Sequence, residues 1–278
     1  MKIPKAAELK RNLKIAISCV YYAVTRPWLL LAEWLGLSGK ARLVILYYHD
    51  IPADKRAGFA AQLDLLSRHA TIVGADWRGQ DLSGHACAIT FDDAFVSVFD
   101  NALPELAARR MPCTIFVPAG YIGRKPGWAE FDSAATEVVS GDNLIRSLRS
   151  PLVTIGSHSV SHPRLSRIPR DLALAEVASS RPMLSALTGH DVRLMAFPFG
   201  NYDQEVVAMC RGAGYDFVYG IEPSVVDARA HRFLRGRVAV EPDDGRLEFF
   251  LKISGGYSWM IIASALKRIA RKALRSGG

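Results

Sequence analysis

From residue 42 onward, short apolar runs alternate with stretches of helical spacing, and most of the runs end abruptly in polar or turn-forming residues. RLVILYYH, ACAITF, CTIFVPA, LVTIGS, LMAFPFG, FVYGI and RVAVEP read as strands. Phe59, Leu63 and Leu66, then 101–110 entered through Pro104, then 171–187 and 204–214, read as helices. Strands that are apolar throughout, separated by helices, belong to a parallel sheet covered on both faces, because a parallel crossover needs a helix of chain to return. About seven strands in this alternation predict an α/β fold, parallel β/α units forming one barrel-like domain. No 20–50-residue repeat and no low-complexity linker divides the chain. With 278 residues, half of them hydrophobic, one body over 41–255 buries a full core.

In such barrels the chemistry collects where strands end. His49 and Asp50 follow the first run, Asp92 and Asp93 follow ACAITF, His158 follows LVTIGS, and FPFG ends its own run. Four motifs at equivalent strand ends predict one shared cleft. His158 and His162 stand four apart, and on a turn of helix they face the same way with Cβ atoms ~6 Å apart. With one carboxylate they make a His₂-carboxylate donor set, the kind that holds a divalent ion, zinc above all, with positions left open. Two adjacent carboxylates in a cleft repel, and a cation resolves the conflict by taking one and leaving the other as a base. The competing role for Asp92 and Asp93 is a helix N-cap. His69, His85 and His190 have no partner in sequence and read as surface or core histidines.

The net charge of +8 is unevenly placed. Residues 1–14 hold five basic side chains against Glu8, residues 266–275 hold five and no acid, and the body between them is close to neutral. A nucleic-acid enzyme spreads its positive field over the folded surface, so nucleic acid is not the expected partner. Neither GxGxxG nor GxxxxGK occurs, and no nucleotide is expected. Leu266, Ile269, Ala270, Ala273 and Leu274 repeat at helical spacing opposite the basic residues. Leu9, Leu13, Ala16, Ile17 and Val20 do the same, and WLLLAEWLGL follows Pro27. Residues 1–40 and 256–278 are therefore expected as basic amphipathic helical flanks, suited to an anionic membrane surface or to packing on their own domain. No run of 18 apolar residues is uninterrupted, so a spanning helix is not expected. The expected place is cytoplasmic or peripheral at the inner membrane, with the periplasm as the alternative if 1–25 carry an export signal. Cys19, Cys87, Cys113 and Cys210 form no CxxC pair and predict neither a disulfide framework nor a cysteine-bound metal.

TFDDAF, HSVSH and FPFG, in this order, resemble the polysaccharide deacetylases of the NodB-homology class, carbohydrate esterase family 4. The likeness extends through ALPELAARRMPCTIFVPAGYIG and AGYDFVYGI, over roughly 42–255. It implies a NodB-like, distorted parallel β/α barrel of about seven strands, with 41–255 as a catalytic domain that hydrolyses an N-acetyl or related N-acyl group on an amino sugar of a bacterial polysaccharide or lipid-linked precursor. By position it implies Asp92 as base, Asp93, His158 and His162 as ligands of a divalent metal, and the Phe199 backbone N–H as an oxyanion donor. YYHDI resembles a rearranged subgroup acting on poly-N-acetylglucosamine, which implies His49 as the acid, with Asp50 beside it. Phe197 stands where the family often has an arginine that tethers the base, and Arg237 is the candidate substitute. Ala94 replaces the usual glycine after the Asp pair. Trp128 and Tyr202 are candidates for stacking on a sugar ring, against a packing role. The alternative function is a non-catalytic carbohydrate-binding relative of the same fold.

Overall fold

The computed structural model describes residues 5–35, 42–80, 84–128, 137–264 and 266. In chain order the strands are β1 (Arg42–Tyr48), β2 (Thr71–Ile72), β3 (His85–Phe91), β4 (Cys113–Val117), β5 (Val153–Ser157), β6 (Leu194–Ala196), β7 (Phe217–Tyr219), β8 (Val225–Asp227), β9 (Leu234–Arg235) and β10 (Val238–Ala239). The helices are α1 (Lys5–Trp34), α2 (Arg56–His69), α3 (Leu103–Ala108), α4 (Gly141–Ser147), α5 (Arg170–Thr188), α6 (Gln204–Gly212) and α7 (Arg246–Ile253).

β1 pairs in parallel with β3 along its whole length, and β4, β5, β6, β7 and β9 follow edge to edge, all parallel. β10 takes the other edge of β1, also in parallel. β9 and β10 thus stand at opposite ends of the strand order, yet only Gly236 and Arg237 separate them in the chain. This short stretch joins the two edges and nearly closes the barrel. The expected single strand RVAVEP is in fact a change of pairing partner, and eight strands lie on the path rather than about seven. Glycine is required at the crossing: a Cβ on Gly236 would lie 2.1 Å from the Glu222 carbonyl oxygen. β2 and the antiparallel β8 are short additions to β3 and β1.

Alternation along the strands sorts the core into two sides. Val44, Leu46, Cys87, Ile89 and Ile115 pack with Phe59, Leu63 and Leu66 of α2 and with Phe249 of α7. Leu43, Ile45, Ala86, Ala88, Phe116, Ala196 and Tyr219 form a separate cluster on the opposite face, inside the barrel. Two fully buried arginines, Arg235 and Arg237, pack against that cluster, Arg237 over the Phe116 ring at 5.3 Å. Arg235 stacks on Phe217 at 3.7 Å and donates to the Ala75 and Trp77 carbonyls at 2.7 and 3.0 Å.

α1 runs unbroken through Pro27, and Ala6–Ala32 is long and apolar enough to cross a membrane. That differs from the expectation of no such helix: charges cluster in its first turns, and after Lys14 the sequence of the helix holds only Arg26 and Glu33. The amphipathic pattern expected beyond Leu266 lies outside the described residues.

Candidate active site

The end of the barrel where the parallel strands finish carries a cavity of ≈ 700 Å³. Tyr47 and His49 enter it from the end of β1, Asp92 and Asp93 from β3, His158 and His162 from β5, and Phe199 and Gly200 from β6. Trp128, Arg164 and Ile221 complete its wall.

The segments that leave β3, β5 and β6 turn sharply. Asp93, Ala94, Ser159, His162 and Phe199 all have φ between 52° and 67°, in the left-handed region that costs a side-chain-bearing residue ~1 kcal/mol. Five such residues around one cavity concentrate backbone strain at the site. Ala94, where a glycine is usual, adopts this conformation with φ 52° and its methyl buried. His158 and His162 do not lie on a helix, contrary to the expected i, i+4 geometry. Positive φ at Ser159 and His162 folds HSVSH into an irregular turn instead. That turn is held from outside by Glu176 of α5, which accepts from the Val160 and Ser161 backbone N–H groups at 2.8 Å each and from the Ser161 hydroxyl. Inside it, Ser159 Oγ accepts from the His162 N–H at 3.1 Å.

The turn nevertheless brings the two rings together, with centroids 4.8 Å apart. Asp93 Oδ1 lies 3.1 Å from His162 Nε2 and 3.7 Å from His158 Nε2, and all three residues are buried. His158 Nδ1 lies 2.8 Å from the Ala196 carbonyl oxygen. A carbonyl only accepts, so Nδ1 carries the proton and Nε2 keeps its lone pair facing Asp93. Burial pushes the His158 pKa down to about 4, so the ring is neutral at ordinary pH. Asp93 Oδ1 is buried without a hydrogen-bond donor. Burial alone raises its carboxyl pKa, but the His162 contact and the His158 ring overcome that and lower it. A buried anionic oxygen facing two ring nitrogens, one of them fixed as a lone pair, fits a divalent cation, and the three ligand atoms lie within 4.8 Å of one another.

Asp92 takes a different partner. Arg237 Nη1 and Nη2 donate to its two carboxylate oxygens at 2.7 and 2.8 Å, a bidentate fork. The guanidinium is itself pinned, with Nε donating to the Gly220 carbonyl and Nη1 to Thr90 Oγ1, both at 3.2 Å, and with the Tyr47 ring 4.7 Å away. Burial raises the Asp92 pKa, but the Arg237 charge, the His158 ring, the Arg237 hydrogen bonds and the His49 ring together overcome it and bring it to about 2. The seam that closes the barrel therefore also supplies the cation beside Asp92.

Among the remaining candidates, His49 is half-buried in the cavity wall, edge-on to Tyr47 at 5.6 Å. Asp50 is not in the wall; its Oδ1 accepts from Ser97 Oγ, which in turn accepts from the Ile51 N–H. Phe199 is 39% exposed on the rim, and the Arg164 guanidinium sits 4.1 Å over its ring. Trp128 stacks on the His162 ring at 4.2 Å. Tyr202 stacks on Phe197 at 4.7 Å, outside the cavity wall. His85, at the other end of β3, pairs with the Ile253 carbonyl at 2.6 Å, as a core histidine does. Sequence reasoning missed Glu176 and Arg164. Glu176 stands 14 residues beyond His162 on a helix face, and nothing local in the sequence ties it to the loop. Arg164 lies two residues past His162, and that proximity was the available signal.

Comparison with known proteins follows this geometry. The sequence model for polysaccharide deacetylases matches residues 79–218, from ahead of β3 through β7, but reaches neither His49 nor Arg237. The candidate polysaccharide deacetylase YxkH of Bacillus subtilis is 22% identical over 223 residues, covering 76% of each chain. A chitooligosaccharide deacetylase of Bradyrhizobium is 28% identical over 144 residues, half of this chain and 58% of its own length. The structure of IcaB from Ammonifex degensii superposes with a TM-score of 0.65 at 25% identity, over 79% of this chain and 98% of IcaB. With the matched stretch spanning half the chain and the strand ends that carry Asp92, Asp93, His158 and His162, this chain belongs to the polysaccharide deacetylase family, as a carbohydrate deacetylase and hence an amide hydrolase.

Proposed function

We propose that the protein removes an N-acetyl, or related N-acyl, group from an amino sugar of a bacterial polysaccharide or its lipid-linked precursor, and needs a divalent cation to do so. The observation that carries this reading is Asp93 Oδ1, buried without a donor and facing His158 Nε2 and His162 Nε2. Asp93, His158 and His162 hold the cation, and a two-nitrogen, one-oxygen set favours zinc. When bound, the cation supplies Lewis acidity to the amide carbonyl and to the attacking water.

The chain's own residues do the rest. Asp92 accepts the proton of the attacking water. Arg237 keeps it ionised and aimed, at some cost in basicity, because a carboxylate with a pKa of about 2 is a weak acceptor. The Phe199 N–H, at the strained turn after β6, holds the developing oxyanion. His49 protonates the departing amine, and Asp50, tied to Ser97, fixes the turn that presents it. Trp128 offers an aromatic wall to the sugar. The test is release of acetate, with a matching free amine, from N-acetylglucosamine oligomers by the purified chain before and after chelation. Metal-restored turnover is expected. Acetate release that survives complete chelation, or none from any N-acylated amino sugar, refutes the reading.

A further inference from the structure

Helix α1 has one packed face and one bare face. On the packed face, Arg11 Nε donates to Glu248 at 2.6 Å and Nη2 to Asp244 at 3.2 Å, and both carboxylates are buried. Ser18 Oγ accepts the Trp259 indole N–H at 2.9 Å, and Tyr22 meets the Phe250 ring edge-on at 5.5 Å. The bare face carries Leu9, Leu13, Ile17, Val20, Val24 and Trp28, each three or four residues from the next and 37–71% exposed. From Leu9 to Trp28 this stripe runs ~28 Å along the helix. Such a length of apolar surface on one face is an interaction site rather than scatter.

We propose that this stripe is embedded in the interfacial layer of an anionic lipid bilayer, with α1 lying in the membrane plane and the barrel held on its other face. The packed face argues against a spanning arrangement, although Ala6–Ala32 has the length and hydropathy for one. Its contacts run from Arg11 to Tyr22, through the middle of that window. Crossing the bilayer would strip Arg11 from two buried carboxylates and pull the helix off α7. Charge selects the partner. Lys10 and Lys14 are exposed on the first turns, and residues 1–14 and 266–275 each hold five basic side chains, against one acid between them. Anionic headgroups complement that charge, whereas a second copy brings the same sign. Exposed Ile261 and Ile262 extend the apolar surface, sharing with Val24 and Trp28 the walls of a groove of ≈ 770 Å³. Asp244, which Arg11 meets, follows β10 at the barrel end that carries Asp92 and His49, whereas Val24 and Trp28 lie beside Arg42 at the start of β1, so α1 runs along the side of the barrel from the one end to the other. The inference does not depend on the catalytic assignment.

The test uses the full chain with Cys19→Ser and a single depth-sensitive label at residue 13, 20 or 28, mixed with vesicles of equal parts phosphatidylcholine and phosphatidylglycerol. Flotation with the vesicles is expected, with all three labels at one shallow depth, about 5–10 Å below the headgroups. Failure to float, or a label at 20 near the bilayer centre with 13 and 28 nearer the two surfaces, overturns the proposal. Leu13→Glu, Val20→Glu and Val24→Glu together, at exposed positions, should weaken vesicle binding at least about tenfold with an unchanged circular dichroism spectrum. Lys10→Gln with Lys14→Gln should weaken it roughly tenfold, and only on anionic vesicles. Unchanged binding in either variant, or a dimer that persists on vesicles, overturns it. None of these readouts involves hydrolysis, so failure of the deacetylase reading leaves the result standing.

Discussion

Replacing Arg237 by Met tests how the barrel seam and the Asp92 carboxylate, the proposed base, are coupled. Arg237→Met keeps the stem that fills the interior but removes both charge-assisted hydrogen bonds to Asp92, at 2.7 and 2.8 Å. Asp92 is 3% exposed, so water cannot replace them. Breaking one side of a buried pair costs about 3–5 kcal/mol, because the remaining charge is left uncompensated. The net lowering of the Asp92 pKa, from 3.8 to about 2 with Arg237 as the largest lowering cause, corresponds to about 2 kcal/mol. Its sign is that of a lowered carboxylate. The stabilisation is fully present above pH 3.8 and is lost as the pH falls towards 2. In the variant, burial prevails and the Asp92 pKa rises above 3.8, so the stability lost in acid shifts to higher pH. The assay is urea unfolding in chelator at pH 7 and across the acid range, for wild type, Arg237→Met, Asp92→Asn and the double variant. The double-mutant cycle should return a coupling of at least about 2 kcal/mol. Additive single effects, or an acid limb that does not move in Arg237→Met, refute the coupling.

Three further outcomes are expected. Glu176→Ala removes the acceptor that holds the HSVSH turn and should cost about 2 kcal/mol while weakening metal retention in a chelator competition; unchanged retention would show that the turn holds its shape unaided. His158 has a pKa lowered by burial to about 4 against 6.5 unfolded, so the metal-free protein should lose about 3 kcal/mol as the pH falls from 6.5 to 4, seen as a drop in urea midpoint that His158→Gln lacks. An equal drop in that variant assigns the loss to other groups. His49→Gln should lower kcat by about 10²–10⁴ with little change in KM, and a kcat within twofold of wild type removes His49 as the acid.

Much of this was legible because a parallel strand buried on both faces is apolar until it stops, and it stops where chemistry begins. That pattern marked β1, β3, β5 and β6 and so placed His49, Asp92, Asp93, His158 and Phe199 at one end of one barrel. The seam was harder to read. β9 and β10 have two residues each, too short for any periodicity, and of the two residues between them Gly236 is fixed by close approach to Glu222, 14 residues earlier in the chain. Arg237 was reachable only as a candidate substitute, since its distance from Asp92 is set by closure of the whole sheet. The His158–His162 spacing pointed to the right pair for the wrong local reason. The rings meet through left-handed backbone and a Glu176 clamp, not through a helical turn. α4 and α7, each under nine residues, were too short to stand out from the surrounding loops.

The account rests on Asp93, His158 and His162 gripping a single ion while Asp92 stays paired with Arg237. Zinc titration of the chelated full chain by calorimetry, repeated on Asp93→Asn and on Asp92→Asn, measures that division directly. The expected result is one tight ion per chain, abolished in Asp93→Asn and retained in Asp92→Asn. Undiminished binding in Asp93→Asn, or no binding in the unmodified chain, contradicts it.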